Sequence, residues 1–247
     1  MPRLILLRHG QSVWNRDARF TGWTDVDLCD NGLAEAKQAA ELLKAHNIQP
    51  DHCFTSYLKR SVDTLEIVLD GLGLTWLPVQ RSWRLNERHY GALQGRGREE
   101  VRAEVGDEQL HIWRRSYTVR PPALEENDER FPGNDPRYAL VPHRHLPLTE
   151  SLKDTVARVL PYWQERIESL LMEGGTPLIS AHGNSLRGLI KYLDGISDED
   201  IPHLEIPTGN PLVYELDGGL APIRSYYLED GKEPHALPRA AVAPRSA

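Results

Sequence analysis

A three-layer α/β/α fold, with a mainly parallel sheet and one antiparallel edge hairpin, is the architecture this sequence predicts. Leu4–Leu7 is a short uninterrupted apolar run, the pattern of a strand buried on both faces, and Leu178–Ser180 is expected to be a second such buried strand. Segments of helical period alternate with such runs, which favours parallel strands covered by helices on either side. Leu212–Leu216 and Ile223–Leu228, joined through Gly218-Gly219, have the alternation and turn residues of an antiparallel hairpin.

Taken in order, the first strand ends in Arg8-His9-Gly10. Asp30 suits an N-cap, and Leu33, Ala36, Ala40 and Leu43 recur at helical spacing up to about Asn47. Asp51–Phe54 is a second strand candidate, and Val62, Leu65, Leu69 and Leu72 form one face of a helix over Lys59–Leu72. Thr75–Val79 is a weaker third strand. Residues 85–147, rich in proline, glycine and charge, form an irregular excursion with one short helix near Glu99–Val105. Ser151 with Asp154 resembles a capping box opening a helix toward Glu173, kinked at Pro161. After the strand at Leu178 come Ala181-His182-Gly183 and a helix over Ser185–Leu193. Residues 1–228 are expected to form one catalytic domain, with 229–247 a flexible tail.

The chain has 247 residues, 40% hydrophobic and 26% charged, which fits a globular domain with a sizeable core. A net charge of −7 argues against nucleic acid as a partner, so an anionic ligand requires a local basic pocket. Cys29 and Cys53 suit reduced core thiols. The N-terminus lacks a signal-peptide pattern and no apolar run is long enough to cross a bilayer, so a cytoplasmic protein without membrane partners is expected. The ten histidines form no compact ligand cluster with acidic residues, so no metal is expected.

Two buried strands each finish in a His-Gly pair. In open α/β sheets ligands sit beyond the carboxyl ends of the strands, so neighbouring parallel strands deliver His9 and His182 to one crevice. Arg8 adjoins His9, and Arg60 lies within a helical turn of a third strand end. Arg88, Arg98, Arg114 and Arg115 lie in the excursion. Guanidinium forks match phosphate oxygens in pairs, though any one of these arginines also suits an ordinary surface charge. Glu87 fits either a general acid–base or a surface ion pair. Walker, dinucleotide-binding, zincin and nucleophile-elbow motifs are absent.

Leu7-Arg8-His9-Gly10 with Ala181-His182-Gly183-Asn184 resembles the histidine phosphatase superfamily. The strings RHGQSVWN from Arg8, RFTGW from Arg19, LNERHYGALQG from Leu85 and HGNSL from His182 are similar to the cofactor-dependent phosphoglycerate mutases within it. So are Trp113-Arg114-Arg115, Leu148–Leu152 and Ile206–Gly209, in order across about Arg3–Leu228. The resemblance implies that His9 is phosphorylated, that Glu87 exchanges the proton, and that Arg8, Arg60 and His182 surround the transferring group. It implies substrate contacts at Asn15, Thr21, Gly22, Arg88, Tyr90, Arg98, Arg114, Arg115, Gly183 and Asn184. The implied reaction is an isomerisation, interconverting 3-phosphoglycerate and 2-phosphoglycerate in glycolysis and gluconeogenesis. Its priming cofactor would be 2,3-bisphosphoglycerate and its ligands small phosphorylated three-carbon acids, in a homodimer or homotetramer. Alternatives are a phosphomonoesterase on the same core and a non-catalytic sensor of phosphorylated ligands. Two departures stand out: Gln11 where many relatives have Glu, removing a negative charge near the site, and Arg98 where Lys is frequent.

Overall fold

The computed structural model describes residues 1–237, and one six-stranded sheet organises them. Its strands are β1 (Arg3–Arg8), β2 (His52–Thr55), β3 (Val79–Arg81), β4 (Pro177–Ala181), β5 (Leu212–Leu216) and β6 (Pro222–Tyr227). Their order is β3-β2-β4-β1-β5-β6; the first four run parallel, and β5 and β6 are antiparallel additions. The three-layer fold with a mainly parallel sheet and one antiparallel edge pair is therefore the observed one.

The helices are α1 (Val13–Arg16), α2 (Asp30–Ala45), α3 (Lys59–Leu72), α4 (Arg98–Arg115), α5 (Leu152–Arg166), α6 (Glu168–Met172) and α7 (Gly183–Asp194). Alternate residues of β1 feed two separate cores, as strand pleating requires. Leu4 and Leu6 pack with Val159, Trp163, Leu186 and Leu189 of α5 and α7. Ile5 and Leu7 pack with Ala39, Leu43, Leu65 and Val68 of α2 and α3.

Several boundaries differ from the sequence expectation. The third strand begins at Val79 rather than Thr75, because α3 ends in a left-handed Gly73 and the following residues turn before reaching the sheet. Cys29, not Asp30, occupies the cap position of α2. α5 has the Ser151/Asp154 capping box but passes through Pro161 and ends at Arg166; the break falls at Ile167. The excursion's helix is 18 residues long rather than the short helix expected near Glu99–Val105, and is interrupted at Gly106 (φ 80°, ψ 169°).

The tail expected to be flexible from Glu229 packs against the body as far as Leu237. Asn210 donates to Glu229 at 3.0 Å, and His235 Nε2 meets Asp194 at 2.7 Å with both side chains buried. The remainder of that tail, 238–247, lies outside the described residues. No helix among the described residues is long and apolar enough to cross a membrane.

Candidate active site

Register places the chemistry. Arg8 of β1 pairs with Ala181 of β4, and Thr55 of β2 pairs with Ser180, so His9, His182 and Ser56 leave three adjacent strand ends together. The His9 N–H still donates to the Ala181 carbonyl at 3.0 Å, holding the His9 backbone to its neighbour strand. The two imidazole rings meet edge to face at a centroid separation of 4.9 Å.

Neighbouring groups fix the His9 tautomer. Nδ1 lies 2.7 Å from the Gly10 carbonyl, which can only accept, so the proton resides on Nδ1. The Arg60 Nε–H donates to Nε2 at 3.3 Å, which requires a lone pair there. Burial, with Arg60 and Arg8 beside the ring, holds its pKa well below the usual imidazole range. His9 is thus a neutral imidazole presenting Nε2, the protonation state a nucleophile needs.

His182 is fixed in a complementary way. Ser56 Oγ receives the Leu58 N–H at 3.0 Å and lies 2.7 Å from His182 Nε2. The arrangement that satisfies both groups has the hydroxyl donating to Nε2, which puts the His182 proton on Nδ1. That nitrogen is buried without a protein partner. Burial, then Arg60 and His9, keep this ring neutral too. It offers an N–H donor close to the His9 ring.

Beyond these rings opens a cavity of about 220 Å³, lined by seven arginines and two glutamates. Arg60 is anchored by the carbonyls of Thr24 and Gly22 at 3.0 and 2.9 Å, and burial lowers its pKa to about 10, leaving it charged at neutral pH. Gly22 is obligatory here: φ is +54°, and a Cβ would lie 2.0 Å from Gln94 Oε1. Arg8 donates to the Ile206 carbonyl at 2.6 Å. A methyl group on Gly183 would lie 3.6 Å from both Arg8 Nε and Glu87 Oε2, so these groups converge where α7 begins.

Glu87 is held by its own scaffold. Oε1 accepts the N–H groups of Arg88 at 2.7 Å and Asn184 at 3.0 Å, leaving Oε2 for the cavity. Arg158 of α5 binds the carbonyls of Arg84, Asn86 and Glu87 at 2.6, 3.0 and 2.8 Å and forms a buried ion pair with Glu150 at 2.6 Å. This clasp positions the segment that carries Glu87.

The remaining lining comes from several elements. Asn15, Thr21, Gly22, Tyr90, Arg98, Arg114, Arg115, Gly183 and Asn184 all reach the cavity together with Arg8, His9, Arg60 and Glu87. His182 is fully buried beside the His9 ring and is not one of the cavity-lining residues. Arg88, expected as a substrate contact, is not on the wall. It is buried beneath, over the Tyr90 ring at 4.5 Å, and donates to the Trp113 and Arg114 carbonyls at 3.0 and 2.9 Å. Gln11 also turns away: its Oε1 receives Cys29 Sγ at 3.3 Å and Asn31 at 3.5 Å. Neutralising that position therefore does not alter the cavity wall.

Sequence reasoning missed Arg19, Phe20, Arg187, Glu205 and Ile206 on the wall, and Ser56, Glu150 and Arg158 away from it. Arg187 was legible, since it lies one helical turn beyond Asn184 on the helix that His182 opens. Among the described residues no group of His, Cys, Asp and Glu forms a metal-binding cluster.

A model of the histidine phosphatase superfamily (branch 1) matches residues 4–228. The chain belongs to this superfamily. Among solved structures, mycobacterial glucosyl-3-phosphoglycerate phosphatase complexed with VO3 is 26% identical, with a TM-score of 0.67 over 87% of this chain and 93% of that one. Mycobacterial hydrolase 1 is 25% identical, TM-score 0.68, over 92% and 97% of the two chains. The alpha-ribazole phosphatase of Shigella flexneri, at 23% identity and TM-score 0.66 over 90% and 94%, shares the fold.

Proposed function

We propose that the protein interconverts 3-phosphoglycerate and 2-phosphoglycerate through a phosphoryl group carried on His9. The observation that carries this reading is that five of the cavity's seven arginines divide according to the elements that supply them. Arg8 and Arg60 accompany His9 at the strand ends, whereas Arg98, Arg114 and Arg115 come from the two ends of α4. A ligand with one anionic group at the nucleophile and a second at the α4 arginines matches that division. Phosphoglycerates, with one phosphate and one carboxylate, are such ligands. The stretch LNERHYGALQG and the other strings resembling the mutases support the same choice.

In this reading 2,3-bisphosphoglycerate primes the enzyme by leaving a phosphoryl group on His9 Nε2. Arg8, Arg60 and the His182 Nδ1–H stabilise the charge on its oxygens. Glu87 Oε2 takes the proton of the substrate hydroxyl as that oxygen attacks phosphorus and the P–N bond breaks. The bisphosphate formed turns in the cavity, and its other phosphoryl group returns to His9 while Glu87 gives the proton back. Positioning and fixed charge suffice for each transfer, so no metal is invoked. The reading includes a cytoplasmic glycolytic and gluconeogenic step carried out by a homodimer or homotetramer, which sedimentation would measure.

A second reading, a phosphomonoesterase in which water takes the group from His9, is favoured by the mycobacterial relative described as a phosphatase. The experiment that separates them is 3-phosphoglycerate turnover with and without catalytic 2,3-bisphosphoglycerate, following 2-phosphoglycerate and free phosphate together. The proposal requires bisphosphate-stimulated isomerisation in excess of phosphate release. Stoichiometric phosphate without 2-phosphoglycerate would establish the hydrolase instead.

A further inference from the structure

Two acidic side chains line the cavity, and the proposed mechanism uses only Glu87. The other, Glu205, accepts from Arg115 Nη2 through Oε1. The next residue along, Ile206, accepts from Arg8 Nη1 at 2.6 Å through its carbonyl. Two consecutive residues therefore touch both arginine groups. Burial depresses the guanidinium pKa of Arg8, Arg114 and Arg187, and the charge of Glu205 offsets part of this at each. One carboxylate thus acts on four of the cavity's arginines.

The partners differ in solvent access. The Glu205 side chain is 70% exposed and that of Arg115 18%. On release from Arg115, the carboxylate turns into water without leaving a buried, unpaired acid, and the arginine stays at the wall ready for another anion. Glu87 has no such freedom, because two backbone N–H groups hold it.

Building on the reading of the cavity as a site for doubly anionic ligands, we infer that Glu205 is a resident counter-ion, which a ligand's second anionic group must displace from Arg115. Glu205 thereby sets how strongly ligands with two or more anionic groups, here called doubly anionic, are favoured over ligands with one. With the site empty it lowers mutual repulsion among the arginines; with a ligand bound it competes for the same donors.

The test is a set of dissociation constants by calorimetry, in an H9N background that removes the nucleophile. The probes are 2,3-bisphosphoglycerate, pyrophosphate and inorganic phosphate, each with and without E205Q. Removing the competing charge is expected to tighten both doubly anionic probes roughly threefold to tenfold, the order set by a solvent-accessible ion pair plus its wider field. Inorganic phosphate at the strand ends should change less than twofold, and added salt should shrink the difference. If Glu205 instead served to position Arg115, E205Q would weaken the doubly anionic probes. That result overturns the inference. So do unchanged affinities, equal tightening of all three probes, or a protein that binds neither doubly anionic probe. Because pyrophosphate is no phosphoglycerate, and product formation is not the readout, failure of the mutase reading is observed separately.

Discussion

Gly106→Ala tests how the cavity acquires its second group of arginines. α4 carries Arg98 at its first position and Arg114 and Arg115 at its last, and all three line one cavity of about 220 Å³. An unbroken helix of that length would extend about 27 Å, keeping its ends apart. The break at Gly106, with φ 80° and ψ 169°, lets both ends meet the ligand space. That backbone region is essentially confined to glycine. No atom lies within 4 Å of a Cβ built there, so alanine introduces strain without a clash. The strain is about 1–3 kcal/mol, and alanine's helix preference of about 1 kcal/mol over glycine pushes toward a straighter α4. Straightening would withdraw one end's charged hydrogen bonds, each worth about 1.5–3 kcal/mol. Affinity for a doubly anionic ligand should then fall roughly tenfold to hundredfold. Urea unfolding and calorimetric titration measure the two effects. Gly218→Ala is the control, since its Cβ also meets nothing within 4 Å and its φ is not positive. A Gly106→Ala protein within about 0.5 kcal/mol of the control, with unaltered bisphosphate affinity, would refute the reasoning.

Incubation with 2,3-bisphosphoglycerate should leave one acid-labile phosphoryl group, lost in His9→Ala, and mass spectrometry placing it on His182 would reverse the assigned roles. Glu87→Gln should slow turnover roughly 10²–10⁴-fold with substrate affinity largely retained, and a near-normal rate would remove Glu87 from the chemistry. Ser56→Ala should lower kcat roughly threefold to tenfold with KM little changed, by freeing the His182 tautomer; an equal rise in KM would point to a binding role. Burial holds His9 and His182 well below the usual imidazole range and His89 at about 3. Below about pH 6.5 the unfolded chain takes up protons that these rings refuse, so their stabilisation, complete above that pH, declines by about 1.4 kcal/mol per pH unit for each ring. His89→Asn should remove one such increment from the pH dependence of urea unfolding, and an unchanged slope would show that His89 titrates normally.

The sequence by itself determined the frame and brought the two strand-end histidines of the site together. The apolar run Leu4–Leu7 and the short segment Leu178–Ser180 suit strands in a sheet covered on both faces. A His-Gly pair directly after each can only emerge at the strands' carboxyl ends. Local rules likewise gave α3 its full extent and α5 its Ser151 cap. The excursion resisted such reading, because its side chains are ordered by partners far away in the chain. Arg88 looks the same in sequence as Arg114, yet it supports the wall by binding backbone carbonyls 25 and 26 residues later. Arg158 and Glu150 carry no local sign that they clasp the Glu87 segment; the bonds that show it span 71 to 74 residues. The same holds for Glu205, whose partner Arg115 lies 90 residues earlier. Periodicity and capping report forces between near neighbours, and they do so well. Which arginine faces the ligand, and which acid faces the arginine, depends on contacts made only when strands and helices have closed into three layers.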